Sequence, residues 1–307
     1  MKSISKYFLA IIFAAVLVMG ATQQGCSPQP TSTFNSTALM MAFVDQAPPS
    51  QVNPGVPVPI YVRVENGGGY DIATGSAKFY LSGVGTNLRN VNEVLTNQNL
   101  IAKKTAQQGG GYEIIKFAEQ GEQTVSITNP FTFSITADSC YNYATSTQAT
   151  VCIGPGSGVC SIAGEKIQAG FNTDGPIQVT SLTELLQGNQ LFVSFKIENK
   201  GNGNVYFTDT DCDKLFGQDA NEKLKQQMKK GFVEISVESD PGLKCNLLSP
   251  DGSSITAVSG MAQVGYKVTC TKTIGSETAS SLIKINMVYK YSSSVSKSIT
   301  LMPSYVQ

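Results

Sequence analysis

The chain has 307 residues, a formal net charge of zero and 14% charged residues, against roughly 25% in an average soluble domain. It has no His and no Trp. The missing His excludes Ser-His-Asp and Cys-His catalysis, His-ligated metal and a His pH switch. Arginine is confined to Arg63 and Arg89, a poor basis for gripping phosphate or nucleic acid.

The N-terminus reads as an export signal. Lys2 and Lys6 are followed by an unbroken apolar run over residues 7–19. That run is shorter than the roughly 20 residues a spanning helix needs and matches a signal-peptide core. Residues 1–25 are therefore a signal peptide or membrane anchor. Gly25-Cys26 ends like a lipobox, whose Cys is lipidated and becomes the mature N-terminus. Gln23 and Gln24 depart from that pattern, which has Leu and a small residue there. An uncleaved short anchor and simple secretion are the alternatives. Residues 26–38 are a polar tether rich in Ser, Thr and Pro. Asn35-Ser36-Thr37 within it is a glycosylation sequon.

The remainder reads as strands. Ile60, Val62 and Val64 alternate with Tyr61, Arg63 and Glu65, and Leu191, Val193, Phe195 and Ile197 with Phe192, Ser194, Lys196 and Glu198. Phe131, Phe133 and Ile135 repeat the pattern, and so do Val233, Ile235 and Val237. A period of two over short runs means strands with one buried face. Gly, Pro, Asn and Ser mark the breaks. Many short strands with little helix imply an antiparallel sandwich.

An internal repeat organises these strands. The run from Val62 through Glu65-Asn66 to Ile72 aligns without a gap to the run from Phe195 through Glu198-Asn199 to Val205, 133 residues later. A Gly-rich turn follows each Asn, and a Pro-marked lead-in strand precedes each copy. The repeating unit has domain size. The boundary falls near Gly154-Pro155-Gly156-Ser157-Gly158, giving domains over 39–156 and 157–307.

The pattern apolar-x-apolar-x-Asn-x-Gly, present at Val62–Gly68 and at Phe195–Gly201, resembles the core motif of CARDB-type immunoglobulin-like domains of bacterial and archaeal cell surfaces. The segment Cys140-Tyr-Asn-Tyr with Val151-Cys152-Ile153 resembles archaeal tandem-sandwich surface proteins. The resemblance covers roughly residues 40–303. It implies an all-β chain of two tandem immunoglobulin-like antiparallel β-sandwiches used for adhesion or spacing, with no catalytic residues. The core Trp of antibody-type domains is missing.

One short helix is expected in the second domain. Asp219 is an N-cap, Glu222 completes an Asp-type capping box, and Ala220, Leu224 and Met228 form an apolar stripe closed by Gly231. Lys223, Lys225, Lys229 and Lys230 form a solvated basic side, or a face for acidic lipid.

Setting Cys26 aside, six cysteines remain, an even number for an oxidising compartment. Six allow 15 pairings. A hairpin over 141–150 favours Cys140–Cys152. Two strand-like runs favour Cys245–Cys270, which leaves Cys160–Cys212. A Cys metal cluster lacks the C-x2-C spacing. Asp209, Asp211 and Asp213 alternate like the start of a Ca²⁺ loop. Lys214 and Ala220 then stand where an EF-hand needs Gly and Glu, leaving only a looser surface site or a charged loop cap. The triple glycines at 67–69 and 109–111 read as turns with positive φ. Residues 85–111 read as a long loop, either a mobile insertion or a binding surface.

The chain is thus expected to be non-enzymatic and without a cofactor. The expected role is a surface-anchored adhesion or interaction module, or a spacer, at the outer face of the membrane. It would be held by its N-terminus and touch an extracellular protein or glycan rather than nucleic acid. A solute- or ligand-binding lipoprotein is the alternative, and would need a concave site lined by Tyr or Phe. A polysaccharide-active enzyme would need a buried carboxylate pair.

Overall fold

The computed structural model describes residues 37–153, 160–168, 170–239, 242–275 and 279–303. The export segment, Cys26, Asn35 and the boundary at 154–158 lie outside these residues.

The first half of the chain carries β1 (Leu39–Phe43), β2 (Gln51–Val52), β3 (Val58–Asn66), β4 (Ala77–Ser82), β5 (Leu88–Arg89), β6 (Val94–Thr96), β7 (Tyr112–Gln123) and β8 (Phe131–Ile153). The second carries β9 (Ile177–Gln187), β10 (Gln190–Asn199) and β11 (Asn204–Tyr206), then helices α1 (Cys212–Phe216) and α2 (Ala220–Gln227). It continues with β12 (Phe232–Ser239), β13 (Lys244–Leu248), β14 (Ser254–Ala257), β15 (Ser259–Gln263), β16 (Lys267–Thr273) and β17 (Ala279–Leu301). The chain is all-β and β-sandwich-like.

The two halves share a strand pattern, in two sheets in the first half and in one sheet joined through β13 in the second. The first pairs β1-β3-β7 in one sheet and β6-β4-β8 in another. The second pairs β9-β10-β16 and β15-β12-β17. The repeat seen in the sequence lies in β3 and β10, the middle strands of equivalent sheets. Alternation works as it should there. Val58, Ile60, Val62 and Val64 of β3 are buried, as are Leu191, Val193, Phe195 and Ile197 of β10. Full burial of one such side chain contributes about 1.5–3 kcal/mol.

The halves share a sheet. β8 and β17 are 23 residues each and pair antiparallel along their whole length, from Phe131↔Leu301 to Ile153↔Ala279. The runs β6-β4-β8 and β17-β12-β15 thereby join in one sheet, which continues through β13 to β16, β10 and β9. One hydrophobic cluster runs through both halves, and the described residues fall within one compact unit. Edge-to-edge pairing also covers two strands that would otherwise expose long unpaired edges.

Three local expectations are corrected. The stretch 85–111 is tied down rather than open. It holds β5 and β6, and an Ile72↔Ile101 bridge closes it. Buried Asn97 organises it, accepting from Ala77 N at 2.9 Å and donating to Ala73 O and Asn99 O. The triple glycines are absent from the positive-φ set. They serve close approach instead: a Cβ on Gly68 would overlap Tyr143 Oη, and one on Gly110 would overlap Asn66 O. Two helices stand in the second half, not one. The stripe on α2 faces outward, with Leu224 and Met228 exposed while Gln226 is buried. The helix stops at Gln227, and Met228, not Gly231, is its C-cap.

Candidate functional site

Four tyrosines meet where the halves join. Tyr141 lies opposite Tyr291 and Tyr143 opposite Tyr289 in the β8–β17 register. Their side chains point inward and form a closed ring of contacts with centroids 6.1–6.3 Å apart. Edge-on and tilted pairs of this kind add about 0.5–1.5 kcal/mol each beyond burial. Tyr141 Oη accepts from Leu39 N at 3.1 Å, and Tyr291 Oη accepts from Gly203 N at 2.8 Å. Tyr143 and Tyr289 hydroxyls lack a partner at hydrogen-bond geometry. Tyr143 Oη faces the backbone of Tyr70 and Gly69, and Tyr289 Oη faces the Thr145 side chain and the Ile177 backbone. Burial pushes all four phenols up, because phenolate is the form that loses hydration. The signal for this ring was present in the chain, as Tyr141-Asn-Tyr143 and Tyr289-Lys-Tyr291.

A helical insertion from the second half locks onto the first. It follows β11 and contains α1 and α2. Asp211 caps α1 by accepting from Asp213 N and Lys214 N, and Asp219 caps α2 by accepting from Asn221 N and Glu222 N. Gln226 turns inward because its Oε1 accepts from Asp211 N at 3.0 Å. The insertion then reaches β4 and β8. Asp213 accepts from Tyr80 Oη at 2.8 Å and Lys78 Nζ at 2.5 Å, and Phe216 stacks on Tyr80 at 4.8 Å. Those two donors hold the Asp213 carboxyl below its usual range. Cys212 is bonded to Cys140 of β8.

The cysteine pairing corrects the expected one. The bridges are Cys140–Cys212, Cys152–Cys160 and Cys245–Cys270. No hairpin spans 141–150. Cys140 and Cys152 lie on one unbroken strand, about 40 Å apart at some 3.3 Å per residue, far beyond disulfide reach. Only Cys245–Cys270 is as expected; those residues face each other in the β13–β16 register. Three disulfides put the chain in an oxidising, extracellular environment.

Asp209, Asp211 and Asp213 are not brought together. Asp209 pairs with Lys229 at 3.0 Å, Asp211 caps a helix, and Asp213 holds Tyr80 and Lys78. Among the described residues no group of three or more His, Cys, Asp or Glu side chains is placed to hold a metal ion.

The outward face of β1-β3-β7 carries exposed Tyr112 and half-buried Tyr61, a grouping that the sequence did not signal. Arg63 lies 4.6 Å over the Tyr112 ring and Lys116 Nζ 5.7 Å from the Tyr61 ring. Exposed Ile114 and Met40 flank them. A separate open groove of about 440 Å³ between β8 and residues 170–173 contains one aromatic, Phe171. No family model matches the chain, and no curated protein matches it.

Proposed function

We propose that the chain is an exported, surface-anchored contact module. Two immunoglobulin-like sandwiches, joined through β8 and β17, would be presented on an N-terminal anchor at Cys26. The module would bind an extracellular protein or glycan without chemistry, or space such contacts from the membrane. The observation that carries this reading is the complete pairing of the six cysteines at 140–270, one bridge stapling the two halves. Such bridges suit a body that must stay rigid outside the cell. The absence of His removes the commonest acid–base and metal chemistry from consideration.

Two measurements test it. The intact mass of protein from native membranes should correspond to a chain that begins at Cys26 and carries lipid. Inert beads coated with the full protein should adhere to cells of the same source. A soluble chain lacking lipid and beads that never adhere would together overturn the reading.

A further inference from the structure

We infer that the outer face of β1-β3-β7 binds a neutral polysaccharide; the inference rests on the contact-module reading and names its surface. The face is built from three adjacent strands. Met40 pairs with Glu65, Glu65 with Tyr112, Arg63 with Ile114 and Tyr61 with Lys116. These residues all sit on the side away from the core. Tyr112 is 62% exposed, Met40 44% and Ile114 43%. Along the strands Tyr61 and Tyr112 are separated by four register positions, about 13 Å. They present two rings along a line rather than one pocket.

The internal repeat supplies a control for what the fold itself requires. In the equivalent sheet Phe195 pairs with Val268 as Val62 pairs with Ile115, so the strands superpose residue by residue. Ser194 then stands for Tyr61 and Lys267 for Ile114, while Tyr112 has no counterpart within that sheet because β16 begins at Lys267. Gln178 stands for Met40, opposite Glu198 as Met40 is opposite Glu65. Arg63 and Glu65 correspond to Lys196 and Glu198. The strands therefore pair without a large apolar side chain at the positions of Tyr61, Ile114 and Met40. Those three side chains are a property of this surface and not a demand of the architecture.

Charge and area choose the occupant. Arg63 is paired with Glu65 at 2.8 Å and Lys116 with Glu119 at 3.0 Å, so the face has no net charge to attract an acidic polymer. Its exposed apolar area is on the order of 300 Å², taking about 200 Å² for a large side chain. That is under the roughly 450 Å² of apolar area within the about 800 Å² per partner of a stable protein interface. A neutral sugar chain suits both conditions. Its C–H faces stack on the rings, and its hydroxyls bond to the guanidinium, ammonium and carboxylates set between them.

The test is affinity electrophoresis of the full protein through native gels containing dextran, hydroxyethyl cellulose or galactomannan, with alginate as the acidic control. At least one neutral polymer should retard the protein. Tyr112→Ala and Tyr61→Ala should each weaken that retardation about tenfold. Tyr266→Ala, an exposed tyrosine of the other half, should leave it unchanged. Thermal melts confirm that each variant is folded. No retardation by any neutral polymer, retardation by alginate alone, or retardation indifferent to Tyr112 overturns the inference. Cell adhesion by beads carrying Tyr112→Ala at the wild-type level would overturn it too, while leaving the contact-module reading standing. Tyr112-dependent adhesion to cells whose glycans have been destroyed by periodate would reassign the face to a protein.

Discussion

Asn66 and Asn199 make the same pair of hydrogen bonds 133 residues apart. Asn66 Nδ2 donates to Tyr70 O at 2.7 Å and its Oδ1 accepts from Gly68 N at 3.0 Å. Asn199 Nδ2 donates to Gly203 O at 2.8 Å and its Oδ1 accepts from Gly201 N at 3.0 Å. Each side chain thus folds the Gly-rich turn that ends a middle strand. Asn66 is fully buried and also donates to Ile101 O at 3.1 Å. Asn66→Ala should therefore cost about 2–4 kcal/mol, and Asn199→Ala, half-buried with two partners on its own turn and a longer bond from Tyr291 Oη at 3.3 Å, about 1–2. Urea unfolding of the two variants checks the order; equal costs would contradict it.

The tyrosine ring predicts alkaline behaviour. Burial raises the folded-state pKa of Tyr141, Tyr143 and Tyr289 above the usual value near 10. Stability from keeping these phenols neutral is fully present below that unfolded value. It is lost as pH rises through the folded values. Phenolate absorbance followed beside circular dichroism should show exposed tyrosines titrating first and the buried set only as the chain unfolds. Reversible titration of all twelve tyrosines near pH 10 in a folded chain would be inconsistent with the ring.

The insertion should respond to acid in the opposite sense. Asp213 has a lowered pKa, first through its bond from Lys78 and then through that from Tyr80. Its contribution is present above the unfolded carboxylate value near 3.9 and is lost as pH falls through the folded value. Because Asp213 and Lys78 are both substantially exposed, the loss stays below about 1 kcal/mol. Asp213→Asn should flatten the acid limb of stability against pH without changing the neutral fold. An unchanged acid limb would show that the carboxylate does not hold the insertion.

Helix α2 separates two kinds of side chain. Leu224→Ser and Met228→Ser should change stability by less than about 0.5 kcal/mol, since both project into solvent. Gln226→Ala should cost about 1–2 kcal/mol, since it orphans the amide of the N-cap residue Asp211. Thermal melts of the three variants give the comparison.

These cases mark what could be read in the chain. The buried rows of β3 and β10, the Asp219 cap and the Asn-Gly turns follow from local periodicity and capping chemistry. The α2 stripe failed because a tertiary bond to Asp211 turned Gln226 inward. Two of the three disulfides differ from the expected pairing because residues 141–150 lie within one long strand, β8, and not in a hairpin. Residues 131–153 hold no Gly or Pro, which is what one long strand requires. The β8–β17 joint was not legible, since pairing between distant strands leaves no local period. Its trace was the recurring Tyr-x-Tyr. The face bearing Tyr61 and Tyr112 leaves no local signal either, because three strands build it only through their register.

The cross-half staple is the most direct test of a rigid, exported body joined at β8 and β17. Protein from native membranes, alkylated without reductant and digested, should yield peptides linked Cys140–Cys212, Cys152–Cys160 and Cys245–Cys270. The Cys140→Ser, Cys212→Ser double variant should lose about 2–4 kcal/mol of stability in support. A Cys140–Cys152 peptide, or alkylated thiols at these six positions, would contradict the account.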